Sequence, residues 1–220
     1  MEHAANVLFT IGPLEVTSAV TTMWAIILVL TLLSWLATRN LKDEPGVLQS
    51  AAEMAVGKLQ GYFAGILGEK YMRKYFPIFA TLFIFIIVCN YSGLLPGAGH
   101  LVGFSVPTAC LSVTAALGVI AFFTTHIIGI REKGFGKYML SFLTIMLPLT
   151  LIEQLVRPFS LALRLYGNLY GEESVTENLY NIFPILVPLV MQVLSLLFCL
   201  IQALVFTMLL SIYVSEAVED

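Results

Sequence analysis

The sequence is dominated by long apolar runs that contain no charged side chain. The first run covers residues 17–37 and ends shortly before Arg39. About 20 helical residues rise about 30 Å, which matches the hydrocarbon core of a bilayer. Apolar residues make up 59% of the 220 and charged residues only 11%, whereas soluble domains carry about 25% charged residues. We therefore expect an integral membrane protein and not a soluble enzyme.

The apolar runs divide the chain into five predicted membrane crossings and one surface helix. We predict an all-α membrane protein with a single integral membrane domain over residues 1–220. An amphipathic surface helix is predicted because apolar residues recur at three- and four-residue steps with charged residues between them. The predicted segments are an external N-terminus over 1–16, a first span over 17–38, the amphipathic helix over 47–74, a helical hairpin over 75–130, and two long helices over 138–171 and 182–215.

The basic residues predict the orientation of the chain. Nine of the 11 Lys and Arg lie in residues 39–74 or 131–137. None lies in the three segments predicted to be external, which are 1–16, 93–104 and 171–181. Because basic loops stay on the cytoplasmic side, we expect an external N-terminus and a cytoplasmic C-terminus. No Arg-rich transit sequence precedes the first span, which favours a bacterial plasma membrane, although an organelle-encoded chain would look the same.

The last two predicted helices are too long to cross a bilayer upright. A helix of about 33 residues spans about 50 Å, so within a core of about 30 Å it would tilt by about 50° or more. We predict that both are steeply tilted. The alternative is that Pro148 or Pro158 breaks the first of them and that part of it projects into water.

Two arginines lie inside the fourth predicted crossing. An arginine at mid-membrane costs at least about 2.5 kcal/mol on insertion scales, so it needs a partner, a hydrated cavity or a function. Glu153 precedes Arg157 by four residues, so an intrahelical ion pair could account for Arg157. Arg164 has no carboxylate three or four residues away. Its counter-charge would come from elsewhere, such as another subunit.

Polar residues share one face on each of the two long helices. On the first they are Glu153, Arg157, Ser160, Arg164, Asn168 and Gly171, with Glu172 at the border. On the second they are Gln192, Ser195, Cys199 and Gln202. Such faces either line a hydrated path or hydrogen-bond to each other within a bundle. Because one face contains arginine, we favour a path for charge.

Two segments resemble a known family. RPFSLALRLYGNLYGEE (157–173) and LIQALVFTMLLSIYVSEA (200–217), with NYSGLLPG at 90–97, resemble subunit a of F-type ATP synthases. The resemblance covers most of the chain from about residue 75 onward. It implies a non-catalytic, ion-conducting stator subunit of the Fo motor without a cofactor, a metal or an ATP site. The partners it implies are the c-subunit ring, the peripheral-stalk b subunits, the rest of the complex and the lipid bilayer, and no nucleic acid.

The resemblance also implies roles for individual residues. Arg164 matches the essential arginine of the family and faces a c-ring carboxylate. The other matches are Asn168, Glu173 on the external side, Gln202 on the last helix, and Arg157 before a proline. The chain departs from the family at Ser195, where some members carry a histidine that feeds protons. Glu172 or Glu173 would then relay the ion, which leaves H⁺ and Na⁺ both open.

Two offset half-channels follow from these matches and from the predicted orientation. The outer path would use Asn168, Glu172, Glu173, Gln192 and Ser195. The inner path would use Ser160, Arg157 and Glu153, and the barrier between the paths would be Arg164 with Gln202.

The sequence leaves two rival functions open. A self-contained channel or secondary transporter would usually show internal repeats, and none is visible in the sequence. An intramembrane enzyme would need a catalytic or metal-binding cluster, but the three histidines and three cysteines have no ligand spacing. His126 is interpreted as a helix-end residue and not as a catalytic base.

Overall fold

A computed structural model describes residues 7–11, 14–39, 46–94, 105–142, 147–180 and 186–219. These residues are nearly all helical, which confirms the predicted class. The elements are β1 (Val7–Ile11), β2 (Leu14–Thr17), α1 (Ser18–Thr38), α2 (Val47–Ser92), a 3₁₀ turn (Pro107–Ala109), α3 (Leu111–Lys133), α4 (Phe135–Phe142), α5 (Leu147–Tyr180) and α6 (Leu186–Val218). Within these ranges, four helices are long and apolar enough to cross a membrane, namely α1, α2, α3 and α6.

The chain divides into two compact units, Met1–Pro107 and Thr108–Asp220. The first unit begins with a short hairpin in which β1 pairs antiparallel with β2, with Ile11 opposite Leu14. The sequence predicts no regular element in this segment. Helix α1 then starts at Ser18, one residue after the predicted start of the span. The hydroxyl of Thr22 donates to the carbonyl of Ser18 at 2.9 Å, so this polar group is satisfied inside an apolar helix.

Helix α2 joins the predicted surface helix and the predicted second crossing. Its backbone leaves the helical conformation at Gly68, where φ is +74° and ψ is 153°. Glycine tolerates this region because it has no Cβ. The interruption therefore lies before the predicted boundary at residue 74. Phe63 before the interruption packs on Phe79 after it, with ring centroids 5.6 Å apart, and both rings are buried.

The apolar face predicted for the surface helix is only partly covered within the structure. Ala51 and Ala55 are exposed, whereas Leu59, Tyr62 and Ile66 are half-buried. The buried residues of this region are Phe63 and Leu67, next to the second group. Residues 51–58 of α2 are thus exposed, and close packing begins at Phe63.

The second unit is a bundle in which α3, α5 and α6 contact one another and α4 contacts α3 and α5. Helices α3 and α5 approach closely at Gly118, where a Cβ atom would lie 2.8 Å from the carbonyl oxygen of Pro158. Small residues permit such close contact between membrane helices. The buried apolar residues that α5 and α6 contribute to this bundle include Leu161, Leu165, Phe206, Leu210 and Val214.

Helix α5 differs from the predicted fourth crossing at both ends. It begins at Leu147, after the separate helix α4, and Pro148 is its second residue, where proline is tolerated. It continues through Pro158, so this proline does not end the helix. At the other end it extends to Tyr180, so the acidic segment predicted as an external loop is helical. Within it the Asn178 side chain donates to the Ser174 carbonyl at 2.7 Å.

Candidate functional site

Asn168 on α5 and Gln202 on α6 form a partly buried contact in the second unit. Asn168 Nδ2 donates to Gln202 Oε1 at 2.6 Å. Gln202 is buried, and its Nε2 has no hydrogen-bond partner among the described residues. A buried donor without a partner costs about 1–3 kcal/mol. The amide therefore keeps a donor for one more acceptor at this level of the bundle.

Arg164 lies one helical turn before Asn168 on the same helix. Its neighbours Leu161 and Leu165 are buried in the bundle, whereas Arg164 itself is exposed. Within the described ranges, Arg164 makes no hydrogen bond, ion pair or cation–π contact. A guanidinium stays ionised at any accessible pH and binds a carboxylate with two parallel hydrogen bonds. This side chain is therefore available to an anion that approaches from outside the chain.

Arg157 has partners on its own helix and on α6. Its Nη2 lies 3.6 Å from Glu153 Oε2, which is the ion pair that the spacing allows. Its Nη1 forms a hydrogen-bonded ion pair with Glu216, and its guanidinium carbon lies 4.8 Å from the centre of the Tyr213 ring. The sequence reasoning missed both α6 partners. Tyr213 and Glu216 follow Gln202 by 11 and 14 residues, so they lie on nearly the same face of α6 as Gln202. Extending the polar face of α6 toward its C-terminus would therefore have predicted both partners.

The other predicted residues of the ion path occupy different environments. Ser195 is buried and donates to the Met191 carbonyl at 2.8 Å, while Gln192 is exposed. Ser160 is half-buried. Glu172 is half-buried and lies within electrostatic range of Cys199 on α6. Glu173 belongs to α5, but its side chain lies outside the described part of the structure.

Titratable side chains outside this path include His126 of α3. Its Nδ1 is 2.8 Å from the hydroxyl of Tyr138 on α4, and its ring stands edge-on to Phe122 with centroids 4.0 Å apart. Within the described ranges no group of three or more His, Cys, Asp or Glu could hold a metal ion. The candidate site therefore consists of the α5–α6 residues.

The fold and the site define a helical membrane protein in which an arginine, unpaired among the described residues, lies beside a polar contact between two long helices. The family described as ATP synthase A chain matches residues 20–215. The chain is 41% identical over 208 residues to ATP synthase subunit a 3 of Pelobacter propionicus, covering 92% of this chain and 88% of that protein. It is 39% identical over 223 residues to ATP synthase subunit a of Moorella thermoacetica, covering 100% and 99%.

A third relative, ATP synthase subunit a of Geotalea uraniireducens, is 40% identical over 209 residues, covering 92% of this chain and 88% of that protein. The chain belongs to the ATP synthase subunit a family. This membership confirms the resemblance drawn from the segments around Arg164 and Gln202.

Proposed function

We propose that this chain is the ion-conducting stator subunit of the Fo motor of a bacterial ATP synthase. In this role it guides H⁺ or Na⁺ to and from the c-subunit ring and couples ion flow to rotation. Its partners are the c-ring, the peripheral-stalk b subunits and the remainder of the complex. Family membership over residues 20–215 supports the proposal.

The observation that carries the proposal is the exposed side chain of Arg164. Within the described ranges it has no partner, and it stands one turn from the Asn168–Gln202 hydrogen bond. A carboxylate in lipid stays neutral because desolvation disfavours its charged form, and a guanidinium within about 4–6 Å lowers its pKa by about one to three units. Arg164 would therefore ionise each c-ring carboxylate that reaches it and release the bound ion.

The two half-channels lie on opposite sides of Arg164 along α5. With five crossings and an external N-terminus, α5 runs from the cytoplasm outward. The outer path then uses Asn168, Glu172 and Glu173 of α5 with Gln192 and Ser195 of α6, and the inner path uses Ser160 with Arg157 and Glu153 at its mouth. Arg164 and Gln202 separate the paths, since a direct leak would dissipate about 2.3 kcal/mol per charge at 100 mV.

The membrane arrangement is part of the same proposal. Helices α5 and α6 have 34 and 33 residues, and each therefore spans about 50 Å. We propose that both cross at a steep tilt, with α5 as the fourth of five crossings in a single membrane domain of the plasma membrane. Site-directed labelling from each side of the membrane tests the orientation of the loops and termini.

The function is tested with Arg164→Ala in the intact ATP synthase reconstituted into proteoliposomes. We expect ATP-driven ion pumping to be abolished while the a chain still copurifies with the complex. Normal pumping by this variant would contradict the proposal. In the same assay, Na⁺ stimulation that fades at low pH identifies a sodium-coupled machine, and indifference to Na⁺ identifies a proton-coupled one.

A further inference from the structure

Helices α5 and α6 are joined by polar contacts at two levels along their length. One level is the Asn168–Gln202 hydrogen bond. The other is formed by Arg157 with Glu216 and Tyr213. Between the two levels the buried hydroxyls of Thr207 and Ser211 donate to carbonyls of their own helix, so they do not link α6 to α5.

The two levels have the same spacing on both helices. Arg157 precedes Asn168 by 11 residues, and Tyr213 follows Gln202 by 11 residues. Eleven residues are about three turns, or about 16 Å, so each pair of positions lies on one face of its antiparallel helix. One axial register therefore satisfies both contacts, and a slip by one turn of about 5.4 Å breaks both.

Polar contacts have particular weight here because lipid gives no hydrophobic force that holds two apolar helices in one register. The Arg157 side chain is only 28% exposed, although its partner Glu216 is 49% exposed. A guanidinium can pair with a carboxylate through its edge while an aromatic ring lies against its face. Arg157 uses both modes toward α6, and Glu153 pairs with it from α5.

We propose that Arg157 is a positioning residue that, through Glu216 and Tyr213, fixes the axial register of α5 against α6. This register sets the level of Arg164 relative to Gln202. The inference rests on the proposed function for its consequence in transport, but the register itself is measurable without ion flow. Arg157 lies at the mouth of the proposed inner path, but its positive charge does not bind a transported cation, and it affects transport by positioning Arg164.

The register is measured by cross-linking in the intact complex. Cys89, Cys110 and Cys199 are replaced by Ala, and Asn168→Cys with Gln202→Cys are joined by a short bifunctional thiol reagent. These substitutions remove the Asn168–Gln202 hydrogen bond, so of the two polar contacts only that of Arg157 remains. We expect Glu216→Gln and Arg157→Glu each to lower the cross-linking yield by about fivefold, as for the loss of about 1 kcal/mol. The exchange Arg157→Glu with Glu216→Arg should restore the yield.

Glu153→Gln is the matched control, because it makes the same chemical change at the partner on Arg157's own helix. The cross-linking yield should stay at its starting value in this variant. A yield that is unaffected by Glu216→Gln, or that the charge exchange fails to restore, overturns the proposal. If Arg157→Glu prevents assembly, the comparison of Glu216→Gln with Glu153→Gln decides alone.

Pumping is measured in chains that keep Asn168 and Gln202. Arg157→Glu should lower ATP-driven pumping per assembled complex, and the charge exchange should recover most of it. If pumping falls only in proportion to the amount of assembled complex and the cross-linking yield is unchanged, Arg157 has a merely structural role and the proposal is overturned. Normal pumping by Arg164→Ala would instead contradict the proposed function, and the cross-linking result on the α5–α6 register would remain valid.

Discussion

Gln202 accepts a hydrogen bond from Asn168 at 2.6 Å, and this contact joins α6 to α5 one turn beyond Arg164. The two partners differ in environment, because Gln202 is buried and Asn168 is exposed. If Gln202 is removed, the Asn168 amide can still bond to water or to a neighbouring subunit. The contact therefore orients the site without being its only support.

Gln202→Leu tests this asymmetry. We expect a partial loss of ATP-driven pumping that is clearly smaller than the loss in Arg164→Ala, because the charge at Arg164 remains. The amount of a chain in the complex should hardly change, since a buried amide with an unused donor is replaced by an apolar side chain of similar size. Pumping rates normalised to assembled complex provide the measurement. A loss as complete as in Arg164→Ala would assign Gln202 an equal share in the barrier.

Arg164→Lys separates the charge of the side chain from its geometry. Lysine presents a single ammonium group that can lose its proton at alkaline pH, whereas a guanidinium stays protonated and pairs with a carboxylate through two parallel hydrogen bonds. We expect most of the pumping rate to be lost at neutral pH and the remainder to decline further at alkaline pH. The check is the pH profile of pumping beside that of the unsubstituted complex. A profile identical to that of the unsubstituted complex would contradict the need for a guanidinium.

Gly118→Ala tests the close contact between α3 and α5. The added Cβ would lie 2.8 Å from the Pro158 oxygen and 3.2 Å from the Ala162 Cβ, and overpacking of this kind costs about 1–3 kcal/mol. Gly136→Ala in α4 is the control, because its Cβ would meet no atom within 4 Å. We expect a lower thermal stability for Gly118→Ala only. Equal stability of the two variants would argue against the contact.

Gly68→Ala tests the interruption of α2. A residue with a Cβ at φ +74° and ψ 153° is strained, at a cost of about 1–3 kcal/mol, although no atom lies near the added group. Gly65→Ala, three residues earlier, is equally open but has no positive φ. In thermal unfolding of the purified chain, we expect Gly68→Ala to be destabilised and Gly65→Ala to be unchanged or slightly more stable. The opposite order would show that α2 is continuous at residue 68.

The apolar runs predict the helices better than they predict the ends of helices. Helix α1 begins one residue from its predicted start, because the length of an uncharged run is itself the signal. The end of α5 is predicted less well, because Glu172, Glu173 and Glu177 suggest a loop after residue 171, whereas the helix continues to Tyr180. Acidic residues are also compatible with a helix that extends beyond the apolar layer of the membrane. The interruption of α2 depends on the φ and ψ angles of Gly68, and the pattern of residues around it does not predict those angles.

The candidate site shows the same division between local and distant contacts. The Glu153–Arg157 pair follows from spacing within one helix and was predictable. The contacts of Arg157 with Glu216 and Tyr213, and the contact of Asn168 with Gln202, depend on how α5 and α6 pack. A single sequence gives the polar face of each helix, but it does not give the axial offset between two faces.

The close approach at Gly118 has a mechanical consequence. Pro158, which contacts Gly118, precedes Arg164 by six residues, or about 9 Å along α5. A lateral force on Arg164 would therefore act only a short distance from a point where the backbones of α3 and α5 are in close contact. A contact between two backbones deforms less than a contact between flexible side chains. Arg164 would therefore be displaced little under torque, and little of the applied work would be stored as elastic energy in this chain.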